Sequence, residues 1–154
     1  MVLQKDKRQI KVEKAVAGII LPSGISIRAW IDTDFATIQQ LSAVEGWPTP
    51  EERPDEALTA WRTSWPTLVL VNGQEVVGFL RALTDEQVTT YVAEILISPR
   101  WRGQGLGQAL IETCHRLYPS TRLDLLSTES SDSFYESTGF RHFQGFRKSY
   151  REAE

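Results

Sequence analysis

Arg102-Gly103-Gln104-Gly105-Leu106-Gly107 is the stretch whose residue types and spacing point most directly to chemistry. It stands between a run of β-forming residues, 89–97, and a segment with helical apolar spacing. At the start of a helix several backbone N–H groups lack an intrahelical partner and the positive end of the dipole is exposed, so a loop that gathers them receives an anion. Glycine suits such a loop because it tolerates unusual backbone angles and has no Cβ to hold a phosphate away. Arg102 can add a charge-assisted contact. A Walker loop would need a Gly-Lys-Ser/Thr ending, and Gly107 is followed by Gln108. A dinucleotide fingerprint needs glycines at its first, third and sixth positions; here Gly103, Gly105 and Gly107 fall at the first, third and fifth. The remaining alternative is a turn of purely structural use.

Arg102-x-x-Gly105-x-Gly107 resembles the Arg/Gln-x-x-Gly-x-Gly/Ala signature of the GNAT N-acetyltransferase superfamily, and Pro99 stands just upstream, where members commonly have proline. Phe134-Tyr135-x-x-x-Gly139-Phe140 resembles the second signature of that family, and two motifs in the right order are far more specific than either alone. The resemblance covers residues 25–146. It implies an α/β (α+β) fold, with a mixed, mostly antiparallel sheet flanked by helices, and acetyl-CoA as cosubstrate without a metal. It also implies that Arg102, Gly103, Gln104, Gly105, Leu106 and Gly107 grip the pyrophosphate, while the strand Glu94, Ile95, Leu96, Ile97 pairs its backbone with the pantetheine arm. A backbone N–H in that strand would polarise the thioester carbonyl. Many relatives begin the second motif with an asparagine; this chain has 128–133 there, so Ser131 or Ser133 would take over that contact to the cofactor.

Acetyl transfer to an amine carries a proton problem. An alkylamine is almost wholly ammonium at pH 7, and releasing the free base costs about 4.6 kcal/mol. The resemblance makes Glu94 the candidate base, acting directly or through water, against the alternative of an ordinary solvent-facing strand glutamate. When the thiolate leaves it must be protonated, and Tyr135 matches the family tyrosine that serves as general acid, against a role as a packing ring beside Phe134 and Phe140.

The elements that must carry these groups follow from periodicity. Ile25, Ile27 and Ala29 alternate with polar neighbours as in a half-buried strand, and Phe35, Ile38, Leu41 and Val44 recur at helical spacing behind an Asp32 or Asp34 cap, with Gly46 as terminator. Trp47-Pro48-Thr49-Pro50 and Pro54 argue against regular structure, and Asp55 can cap a helix over 56–64. Strands over 67–71 and 75–83 flank Asn72-Gly73, a hairpin signal, and a third strand runs over 89–97. Leu106, Leu110, Cys114 and Leu117 share a helix face that Pro119 ends. A strand over 122–126, a short helix around 134–138 closed by Gly139, and a strand or irregular hairpin over 140–150 complete the order β α α β β β α β α β. Residues 1–23 read as an N-terminal extension with at most one strand, over 15–21, and 24–154 as the acetyltransferase domain.

Composition narrows the partners. The 154 residues hold 41% hydrophobic and 24% charged residues, an ordinary single-domain mixture. One cysteine excludes an intramolecular disulfide and a Cys-rich zinc site, so a cytoplasmic home is expected. No apolar run is long enough for a membrane span. A formal net charge of -3 offers no basic field for nucleic acid. Cys114 reads as a packing residue rather than a nucleophile, and His115 and His142 lack metal-ligand spacing. Trp47, Trp61 and Trp65 flank the segment that lines the acceptor pocket in similar enzymes, with core packing as the alternative, and Asp85 and Glu86 could draw in an ammonium group. The expected acceptor is a small-molecule amine, aromatic or polycationic amines included; the sequence leaves the assembly open, a homodimer being common among similar proteins. Two alternatives stand: a non-catalytic acyl-CoA sensor on the same fold, and a protein lysine or N-terminal acetyltransferase.

Overall fold

The computed structural model describes residues 2–149, with side chains from residue 7 onward apart from that of residue 129. Its elements are α1 (Val2–Val16), β1 (Ile25–Ala29), α2 (Phe35–Val44), α3 (Thr49–Glu52), α4 (Pro54–Thr63), β2 (Thr67–Asn72), β3 (Glu75–Thr84), β4 (Thr89–Ile97), α5 (Leu106–Leu117), β5 (Arg122–Leu125) and α6 (Asp132–Ser137). The five strands form one sheet in sequence order, antiparallel from β1 to β4 and parallel between β4 and β5. This is the mixed sheet flanked by helices that the motifs imply.

Each face of the sheet is sealed by its own apolar layer. On one face Val12 of α1 and Leu106, Leu110 and Cys114 of α5 pack on Ile25, Ile27, Leu68, Leu70, Val77, Leu80 and Val92. On the other, Phe35 and Ile38 of α2 and Ala57 and Trp61 of α4 pack on Val69, Val71, Phe79 and Leu96. The unbroken apolar run of β2 follows, since a central strand covered on both faces has no solvent side to make polar.

The element order differs from the sequence reading in four places. No strand forms over 15–21; α1 runs to Val16 instead, because Val12, Ala15 and Val16 share a narrow helical face among charged neighbours. Arg116 caps its end, Nη1 donating to the carbonyls of Ala15 and Ala17 at 3.3 and 3.0 Å. The proline-rich segment is helical: prolines fall in the first turn of both α3 and α4, where their missing N–H is not needed. Asp55 therefore lies inside the first turn of α4 rather than capping it. The β2–β3 turn is Gly73-Gln74, one residue later than expected, with Asn72 still paired to Glu75 and positive φ confined to Gly73, the II′ pattern. Residues 140–149 form no strand, since Phe140, Phe143 and Phe146, three residues apart, cannot share one strand face; Phe143 and Phe146 face solvent, and Tyr150 lies outside the described residues.

One irregularity in β4 sets up everything that follows. Arg81 pairs with Glu94 but Ala82 with Val92, so Ala93 is an extra residue, a β-bulge. Beyond a bulge the alternation of faces inverts. Val92 accordingly packs with α5 while Leu96, at the same parity, packs with α2 and α4. Pairing with β5 stops at Val92↔Leu125, so residues 94–97 have a strand neighbour only on the β3 side.

Candidate active site

The glycine loop sits where the splayed end of β4 meets α5. A 3-10 turn, Pro99–Trp101, turns the chain, and Gly103 and Gly105 both take φ of +78°, Gly105 as the N-cap residue of α5. That left-handed geometry is accessible to glycine at little penalty, and it swings the loop over the helix start. The first backbone bond into α5 runs from Ala109 N to Gly105 O, and among the described residues no acceptor is recorded for the N–H groups of Gly103, Gln104, Gly105, Leu106, Gly107 or Gln108. Buried Leu106 anchors the first turn. The arrangement gathers free backbone amides at the positive terminus of a helix, the geometry that an anion receptor requires.

Arg102 has a different place from the one its motif suggested. Its guanidinium turns toward α2: Nε donates to Ile97 O at 2.8 Å and Nη2 to Glu45 Oε2 at 2.6 Å.

The second motif closes on the first. A Cβ built on Gly107 would lie 3.4 Å from Phe134 Cζ and 3.9 Å from Ile97 Cγ1, so α6, α5 and the end of β4 converge at that glycine. Tyr135 is held edge-on by Phe134 and Phe140, with ring centroids 5.1 and 5.5 Å away, and burial raises its phenol above the usual value. Ser133 is exposed on α6, whereas Ser131 is tied into its own turn by hydrogen bonds with the backbone of Thr128.

Glu94 faces the α4 layer because of the bulge. Oε2 accepts from Arg81 Nε at 3.0 Å, and Arg81 Nη1 donates to Ser64 Oγ at 3.1 Å. Glu94 and Arg81 line a cleft of about 150 Å³ whose other walls include Thr49, Pro50, Ala57 and Trp61. A wider groove of about 1160 Å³ lies between α5, β5, α6 and residues 139–145, and of the expected site residues only Tyr135 lines it. Gln108, the last of the free amides, borders this groove, whereas residues 103–107 and Glu94 do not.

Several side chains have structural employment instead. Trp61 is 1% exposed in the core, and Trp65 donates from Nε1 to Tyr118 Oη at 2.9 Å; Trp47, 37% exposed, is the one of the three that faces solvent. Asp85 Oδ1 accepts from the amides of Gln87, Val88 and Thr89, which hold its carboxyl below the usual range, and Glu86 accepts from Tyr118 Oη at 3.1 Å. Cys114 is fully buried, its thiol pushed up to about 12 by desolvation. Among the described residues no group of three His, Cys, Asp or Glu side chains is placed to hold a metal, and no helix is long and apolar enough to cross a membrane.

Sequence reasoning missed Arg81, Ser64 and Glu45. Arg81 had a signal: a lone charge between Leu80 and Ala82 in a buried strand demands a partner.

Comparison with known proteins bears on the family and the fold. The family model described as "Acetyltransferase (GNAT) domain" matches residues 64–142, which contain both motifs, and the chain belongs to the GNAT acetyltransferase family. It is 29% identical over 124 residues to a histone acetyltransferase, TAP1, of Glycine max, a match covering 71% of this chain and 52% of that protein. The chain thus spans about half the length of that relative. In fold it is similar to a GNAT family acetyltransferase from Streptococcus pneumoniae, with a TM-score of 0.65, 23% identity and coverage of 83% and 98% of the two chains. It is also similar to an aminoglycoside acetyltransferase from a soil metagenome, solved in complex with sisomicin, with a TM-score of 0.63, 16% identity and coverage of 83% and 96%.

Proposed function

We propose that this protein is an N-acetyltransferase that moves the acetyl group of acetyl-CoA to a primary amine by direct attack. The observation that carries the reading is the row of unpartnered amides from Gly103 to Gln108 at the start of α5, next to the unpaired edge of residues 94–97. The diphosphate belongs on the amides. The pantetheine arm belongs along the β4 edge, whose backbone can bond to its amides as a further strand would.

In this reading the chain's residues act as follows. A backbone N–H among Glu94, Ile95, Leu96 and Ile97 donates to the thioester oxygen. Glu94 accepts the proton of the acceptor ammonium, directly or through water, while Arg81 fixes one of its oxygens. The new N–C bond forms and the C–S bond breaks, Tyr135 gives its proton to the departing sulfur, and the second proton shed by the acylated nitrogen returns through solvent to the phenolate. Ser133 would contact the cofactor in place of the asparagine common in relatives.

The acceptor reading is a small amine entering beside Thr49 and Pro50. The sisomicin complex of a structural neighbour is the reason to test polycations, and the histone acetyltransferase relative is the reason to test lysine and N-terminal peptides. Incubation with acetyl-CoA and such a panel should release free thiol and yield one product heavier by a single acetyl group in mass spectrometry. Heat on titrating coenzyme A without turnover on any amine would favour the sensor reading instead. No heat and no thermal protection would remove both.

A further inference from the structure

We infer that Glu45 is a positioning residue which, through Arg102, preorganises the coenzyme loop and ties it to the acceptor cleft. This rests on the reading that the loop receives the coenzyme diphosphate. Glu45 is the residue after α2, in the helix layer on the opposite side of the sheet from α5. Arg102 immediately precedes Gly103, and its fork grips two separate elements, the last carbonyl of β4 and the Glu45 carboxylate. Their side chains are 47% and 31% exposed, so the pair contributes modestly to folding stability. Its consequence lies in order.

Of the residues that follow, Gly103 and Gly105 have more backbone freedom to lose than a residue with a side chain. A loop that must be ordered on binding loses affinity, and a loop already pinned at its entrance does not. With Arg102 fixed to β4 and α2, the amides of Gly103 and Gln104 start from a set point. The same end of α2 also reaches the acceptor side. Gly46 and Trp47 follow Glu45, Thr49 and Pro50 then line the cleft beside Glu94, and Pro50 O accepts from Gln39 Nε2 of α2 at 2.8 Å. One ion pair therefore links the wall of one site to the mouth of the other.

The test is calorimetry with coenzyme A on the native chain, Glu45→Gln, Arg102→Gln and the double variant, with steady-state kinetics alongside. Glu45→Gln should weaken coenzyme A binding by about fivefold, the upper range for a solvent-accessible pair. The KM for the acceptor should rise while kcat changes little, because Glu94 and Tyr135 are untouched. The double variant should bind no more weakly than Arg102→Gln alone, since removing either partner of a linked pair removes the link. Unchanged or tighter binding by Glu45→Gln, or additive losses in the double variant, would overturn the inference. Absence of heat with the native chain would instead remove the coenzyme reading, and this inference with it.

Discussion

Tyr135 is enclosed by two aromatic edges, and desolvation raises its phenol, so the proton stays on oxygen throughout the neutral range. An acid that must hand over a proton only when a thiolate forms is well served by that. Tyr135→Phe keeps the ring packing and removes only the proton, so turnover should fall by about a hundredfold or more with coenzyme A affinity nearly unchanged. Glu94→Gln should instead slow the reaction most near pH 7 and progressively less toward about pH 10, where amines lose their proton unaided. Equal loss at every pH would show that Glu94 is not the base. Cys114 gives an independent reading of the core. Its thiol moves from a usual 9.0 to about 12 on folding. A raised acid binds more protons in the folded state, so its contribution is complete below pH 9.0 and is lost as pH rises toward about 12. Urea unfolding across that window should show stability falling by up to about 1.4 kcal/mol per pH unit from this group, and Cys114→Ala should flatten the slope. An equally steep slope in the variant would place the pH dependence elsewhere.

In the proposed reading, the bulge at Ala93 and the left-handed N-cap of α5 are what convert ordinary elements into a site. At Gly105 a Cβ would meet nothing within 4 Å, yet φ is +78°, so a substitution there is penalised by backbone conformation and not by a clash. Gly105→Ala should therefore weaken coenzyme A binding by roughly tenfold. Gly18→Ala, with φ of +83° and equally open space at the end of α1, should lower stability and leave coenzyme affinity alone. Equal affinity losses from both would mean general destabilisation and no special role for the loop. The contrast explains which features were legible in the sequence. Period-two alternation in β1, the apolar stripe of α5, the hairpin signal near Asn72 and the spaced glycines are local patterns, and the sequence reading placed them, the hairpin turn one residue early. The bulge has no such mark: Ala93 is one small residue in a run of β-formers, and only the cross-strand register exposes it. Glu94 could thus be named while its Arg81–Ser64 support and its side of the sheet could not. The Glu45–Arg102 pair spans 57 residues and is likewise a product of packing.

Across the whole molecule, the segment that the sequence marked as an extension shares the core that carries the loop. The charged positions of α1 hid its role, because among its described side chains the apolar contact is a narrow stripe of Val12, Ala15 and Val16 flanked by polar residues. Yet Val12 is 0% exposed and belongs to the same cluster as Leu106, Leu110 and Cys114, which hold α5 in place. Arg116 of α5 in turn caps α1. The amides that start α5 are therefore positioned partly from residues far outside the family-matched 64–142. Val12→Ala removes buried methyl groups from that contact and should cost about 2 kcal/mol, lowering the melting temperature by roughly 6 °C. Because the cluster is shared, thermal unfolding should shift as a single transition. A separate early transition with an unmoved main one would show α1 to be an independent attachment whose loss leaves the coenzyme loop intact.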